Sequence, residues 1–128
     1  MAGAYKVEWL PGGVLLQRRS GLFSLDEANG YVAAVKDAVR SAPARWGAVV
    51  DAREAVAQNE DVQSVIQGLI QYVVAKNVCR VAIVTKSAMT TLQQKRITVA
   101  PGMHDPSTVG FHNDYDTELA EVRAAVRG

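Results

Sequence analysis

Trp46-Gly47-Ala48-Val49-Val50-Asp51 runs with almost no polar interruption before its last residue and reads as a strand. The stretch after it, Ala52–Asn59, reads as a loop or irregular turn. Val62, Val65, Ile66, Leu69, Ile70 and Val73 then follow at spacings of one, three and four, a wide apolar stripe that predicts a helix to about Lys76. Asn59 suits its N-cap, Glu60 and Asp61 suit the positive end of its dipole, and Asn77 suits a left-handed C-cap. Arg80–Thr85 comes next, a continuous apolar run of the kind found in a strand covered on both faces. Strand, helix, strand in this order requires a crossover connection, so these strands are expected to be parallel.

Toward the N-terminus, Tyr5–Leu10 alternates Tyr5, Val7 and Trp9 with Lys6 and Glu8, the period of a half-buried strand. Pro11-Gly12-Gly13 marks a turn into a second strand, Val14–Arg19, and the short connection makes the pair an antiparallel hairpin. Ser24 and Glu27 form a capping-box pair that opens a helix from Leu25 to about Arg40, with Leu25, Ala28, Val32, Val35 and Val39 as its stripe. Toward the C-terminus, Ser87 suits the cap of a shorter helix reaching about Val99, with Met89, Leu92, Arg96 and Ile97 on its packing side. Val109–His112 reads as a last short strand, and Asp114 or Asp116 caps a final helix with the stripe Tyr115, Leu119, Val122 and Val126. The expected fold is α/β, a single-layer and mostly parallel sheet of about five strands with an N-terminal hairpin and about four helices, β-β-α-β-α-β-α-β-α. One domain is expected over residues 1–128.

Composition narrows the classes. Apolar residues make up 48% of the chain, and 14 basic side chains nearly balance 13 acidic ones. That is a globular composition without the basic surplus of a general nucleic-acid binder. Cys79 is the one cysteine, so no intrachain disulfide forms, and its place beside an apolar run suits a small hydrophobe. Lys6 and Glu8 interrupt what a signal peptide would need to be apolar, and no apolar stretch approaches the ~20 residues that span a bilayer. The expected location is the cytoplasm, without an integral membrane segment.

The strand ends that usually hold ligands in such sheets supply three places to look for chemistry. Asp51, followed by Arg53 and Glu54, is either a metal ligand or base, or a turn residue accepting backbone N–H groups; no sequence spacing brings it a second titratable group. Thr85-Lys86-Ser87 offers hydroxyls, an ammonium and backbone N–H groups to an anion, but lacks the glycines of a phosphate loop, and helix capping accounts for Ser87. His104, Asp105, His112, Asp114 and Asp116 are metal-ligand types in a pattern that matches no established site. Gln93-Gln94-Lys95-Arg96 reads as a solvated helical face. No nucleophile elbow, H-E-x-x-H or C-x-x-C is present, and neither a metal nor a cofactor is expected.

The strand Trp46–Asp51 before a polar loop and long helix, with the ending Val109-Gly110-Phe111-His112-Asn113-Asp114 followed by Glu118, Leu119 and Ala120, resembles STAS domains. These are the sulfate-transporter and anti-sigma-factor-antagonist group, and the likeness is strongest to divergent stand-alone bacterial members. The resemblance covers nearly the whole chain and rests mostly on hydrophobic patterning. It implies a non-enzymatic module that binds a protein partner and sometimes a small apolar or anionic ligand. In the antagonists, a phosphorylatable serine in an Asp-Ser-Ser/Thr-Gly motif opens the second helix and switches an interface by adding charge. The matching stretch here, Gln58-Asn59-Glu60-Asp61-Val62, has no hydroxyl side chain, and Ser64 lies inside the predicted helix without that motif. The switch is therefore not carried over.

The leading functional expectation is a regulatory protein-binding module acting through Asn59, Glu60, Asp61, Gln63, Ser64 and Gln67, with an unidentified protein partner or a second copy of the chain. A second expectation is carriage of a small apolar or anionic ligand between sheet and helices, with Met89, Leu92, Met103 and Tyr115 as lining candidates. The third is a hydrolase or lyase pairing Asp51 with His104 or His112.

Overall fold

The computed structural model of the protein describes residues 3–86 and 114–128 in full and the backbone of 109–112. Strands β1 (Ala4–Leu10), β2 (Val14–Gly21), β3 (Gly47–Ala55), β4 (Val81–Val84) and β5 (Val109–His112) lie side by side in chain order. β1 runs antiparallel to β2, and the remaining neighbours are parallel, so the sheet is mixed with its hairpin at one edge. Helices α1 (Leu25–Val39), α2 (Glu60–Val74) and α3 (Tyr115–Arg127) are the ones among the described residues. The helix expected from Ser87 to about Val99 lies outside them.

Alternation along the central strands sends side chains to two covered faces. Leu15, Ala48, Val50, Val81 and Ile83 pack with α1 and α2 through Tyr31, Val35, Ile66, Leu69 and Val73. Val14, Leu16, Val49, Ala82 and Val84 pack against Val122 and Val126 of α3. The helices do not sit equally close. α1 lies tightly on β1 and α3 tightly on β3 and β4, whereas the nearest backbone neighbour of α2 is α1.

Two indoles fix the helix ends. The Trp9 Nε1–H donates to the Ala38 carbonyl at 3.1 Å, and the Trp46 Nε1–H donates to the Lys76 carbonyl at 3.2 Å. Their rings meet edge to face with centroids 5.8 Å apart, so both polar N–H groups are satisfied while the ring bodies stay in the core. Gly12 (φ 91°) and Gly13 (φ 76°) supply the left-handed hairpin turn. Ser24 and Glu27 form the reciprocal capping box at the start of α1.

Several elements differ from the sequence expectation. β3 continues through Ala55, and β2 through Gly21, because Ser20 and Gly21 pair with Glu54 and Ala55 after a register shift. Part of the expected Ala52–Asn59 loop is thus strand, and the small side chains of Ala52 and Ala55 let it stay buried. Tyr31 joins the buried face of α1, whereas Leu25 is exposed. α2 stops at Val74, and Asn77 beyond it takes the left-handed φ of 61° expected there. Asp114 caps α3 by accepting from the Thr117 N–H. Glu118, a charge in the apolar stripe of α3, is buried within 3.8 Å of Arg80.

Gly47 marks a close approach of α3 to the sheet. A Cβ there would lie 2.5 Å from Val122 Cγ1 and 3.1 Å from Val126 Cγ2. Gly47→Ala is expected to destabilise the fold by roughly 1–3 kcal/mol, as overpacking of a filled core does. Urea unfolding measures it, and an unchanged midpoint would show that α3 gives way freely.

Candidate functional site

Two polar clusters lie along the middle and C-terminal parts of β2 and β3, one on each face of the sheet. On the α3 face, the Arg53 guanidinium donates from Nε to Asp51 Oδ1 at 2.8 Å and from Nη2 to Oδ2 at 2.9 Å. The Arg53 backbone N–H also reaches Oδ1, at 3.3 Å. Arg18, the cross-strand neighbour of Asp51, brings its Nε to 3.3 Å from Oδ2. The Tyr115 ring lies beside both guanidinium groups, with centroid distances of 4.9 Å to Arg53 and 5.7 Å to Arg18. The side-chain hydrogen bonds from Arg53 hold the Asp51 carboxyl below the usual carboxylate range, against the opposing effect of burial.

The opposite face differs in one respect. Leu15, Gln17 and Arg19 project from β2 toward α1 and α2, and Gln17 and Arg19 are only 3% and 4% exposed. The Tyr31 hydroxyl donates to Gln17 Oε1 at 2.6 Å, and burial pushes the phenol pKa up while Arg19 pulls it down. The Arg19 guanidinium stands over the Tyr31 ring, 5.7 Å from its centroid. Its Nε has no hydrogen-bond partner, and among the described residues no carboxylate pairs with it. Taking a cation out of water costs several kcal/mol unless an anion or hydrogen bonds replace the water, and a ring face replaces only part of it. Arg19, Gln17 and Tyr31 edge a cavity of about 30 Å³ whose remaining walls are apolar, among them Val50 and Ile83 of the sheet and Ile66, Leu69, Ile70 and Val73 of α2.

No protein-family model and no curated protein matches the chain. Among solved structures it is similar to an uncharacterized protein of the DUF3478 family from Shewanella loihica PV-4, described as having a SpoIIAA-like fold. The two share 15% sequence identity over 94% of each chain, with a TM-score of 0.68. The fold is SpoIIAA-like. This agrees with the STAS-like architecture expected from the sequence, and at this identity the likeness concerns the fold alone.

In this SpoIIAA-like chain the start of α2 is held by Gln58. Its side chain accepts from the Phe23 N–H at 2.8 Å and donates to the carbonyls of Gly21 at 3.0 Å and Val56 at 2.6 Å. Asn59 occupies the N-cap position without a side-chain capping bond, and Asp61 accepts instead from the Val62 N–H. Asn59, Glu60, Asp61 and Ser64 are exposed, while Gln63 and Gln67 are half-buried. Gln63 donates to the Gln58 carbonyl, and the Ser64 hydroxyl donates to the Glu60 carbonyl. Beside them, the pairing of Gly21 with Ala55 sets Leu22 and Val56 at neighbouring strand ends, and both are exposed, as is Leu25.

The other expected sites fare differently. Asp51 is a poor base, since both its oxygens already accept from guanidinium groups. His104 lies outside the described residues, and the backbone of His112 sits two strands from Asp51 in the same register row, about 10 Å at ordinary strand spacing. Thr85 is buried and Lys86 exposed, while Ser87 is outside the described residues. Of the lining candidates, Met89, Leu92 and Met103 also fall outside them, and Tyr115 packs on the α3 face, away from the cavity. Among the described residues no group of His, Cys, Asp and Glu is arranged to hold a metal ion, and no helix is long and apolar enough to cross a membrane. Arg19 and Gln17 were legible only as polar residues in a strand pattern. The signal that could have found them is their period-two alignment with Leu15 on a strand whose two faces are both covered.

Because the Asp51 carboxyl is easier to ionise in the folded chain than in the unfolded one, it stabilises the fold above the ordinary carboxylate range. That contribution is lost as pH falls through the folded value. Asp51→Asn is therefore expected to lower stability at neutral pH and to flatten the decline of the urea midpoint below about pH 4. Parallel acid limbs in the two proteins would show that the Arg53–Asp51 pair is not coupled to folding.

Proposed function

We propose that this chain is a non-enzymatic, STAS-like binding module that holds a small molecule between its sheet and α2. The observation that carries the reading is the partly open apolar cavity beneath a helix that leans on α1 more than on the sheet. Ligand sites of this kind are concave and mostly apolar with a few convergent polar groups, and Gln17, Arg19 and Tyr31 are such groups. The engagement of Asp51 by two arginines supports a binding role over acid–base chemistry. Native mass spectrometry of the freshly purified protein is expected to show a co-purifying mass. Val74→Phe, at the cavity rim, is expected to remove it, and a clean apo mass in the unmodified chain would sink the reading.

A second reading, docking of a protein partner at the start of α2, is favoured by the exposed Leu22, Leu25 and Val56 beside the acidic Glu60 and Asp61. On that reading the surface acts without a phosphoserine switch, as Ala52–Asp61 contains no hydroxyl side chain. Leu22→Ser combined with Val56→Ser is expected to abolish a partner crosslink seen with the unmodified chain while leaving the unfolding midpoint near its original value. A crosslink that survives both changes would exclude this surface.

A further inference from the structure

We propose that the ligand of the cavity under α2 is an organic anion with an apolar body, and that Arg19 is the group that binds its charged head. The proposal rests on the carrier reading and names the chemistry that reading leaves open. Three observations meet at Arg19. It is 4% exposed, its Nε lacks a partner, and no carboxylate among the described residues offsets its charge. Its polar neighbour Gln17 is already engaged, since Gln17 Oε1 accepts from the Tyr31 hydroxyl. The same arginine lines both the apolar cavity and a larger open groove of about 240 Å³ whose other charged walls are Lys6, Arg18, Asp51 and Glu54.

Asp51 supplies the contrast. Two strand positions on the same sheet, Arg19 and Asp51, carry buried charges, and among the described residues only Asp51 has an oppositely charged partner. A carboxylate at Arg19 would do there what Arg53 does at Asp51, since a guanidinium fork matches two carboxylate oxygens. The walls select the body attached to that head. Ile66, Leu69, Val73 and Ile83 give a small hydrated anion nothing to bond, and give a hydrocarbon chain favourable contact. The cavity of about 30 Å³ holds only a small group as it stands. The rest of a chain would lie along Ile70 and Val74, which are half-buried at the rim and one turn apart on α2.

The test titrates the full chain with n-alkanoates from butanoate to decanoate and with 1-alkanols of the same lengths, by calorimetry and by NMR. Alkanoates are expected to bind about 10–100-fold more tightly than the matching alkanols, the ratio a charge-assisted hydrogen bond supplies. Shift changes are expected at the methyl groups of Ile66 and Val73. Arg19→Met should erase the preference while leaving alkanol binding in place, and without ligand it should unfold at no lower urea concentration than the unmodified chain. Arg19→Gln makes the same comparison should the Met variant fail to fold. Equal affinities for the two series, or a preference that survives loss of the guanidinium, would overturn the anion inference and leave the carrier reading standing. No binding of either series would overturn both.

Discussion

Covering a sheet on both faces leaves its central strands no solvated side, and the rest of this structure depends on that constraint. β2, β3 and β4 alternate between the layer of α1 and α2 and the layer of α3. Each apolar residue on them therefore adds to one of two cores, and each polar residue must find a partner or stay uncompensated. Gly47 shows how tight the α3 layer is, and the two tryptophans show how its opposite is fastened at the ends of α1 and α2.

The buried polar residues of β2 and β3 divide between the two faces, Gln17 and Arg19 on one and Asp51 on the other. Asp51 gathers two guanidinium groups and the Tyr115 ring, and both its oxygens are engaged. Gln17 and Tyr31 satisfy each other. Among the described residues Arg19 faces the Tyr31 ring and an apolar wall. The sheet thus pairs the buried charge of Asp51 and, among the described residues, leaves that of Arg19, on the opposite face, without a carboxylate.

α2 connects the two functional readings. Its inner face roofs the cavity, its first turn presents Glu60 and Asp61, and Gln58 ties the preceding loop to the junction of β2 and α1. The backbone of α2 lies nearer to α1 than to the sheet, while Ile66, Leu69 and Val73 reach the sheet core. Ligand under α2 and contact at its start would thus act on one body.

By itself the sequence determined the order of the described elements, the hairpin with its two left-handed glycines, the capping box at Ser24 and the left-handed Asn77, because each is written in local spacing or local backbone preference. It also determined that the loop before α2 lacks a phosphorylatable residue. Strand ends were less legible: Ala52 to Ala55 look like loop until Ser20 and Gly21 extend β2 beside them. Only the tertiary structure decided the rest. Whether Asp51 is a base or a clamped carboxylate depends on Arg18, which is distant in the chain, and on the conformation of Arg53. Whether Arg19 is a surface charge or a buried one depends on α1 and α2 closing over β2. Burial and charge pairing are long-range properties, and a local pattern cannot carry them.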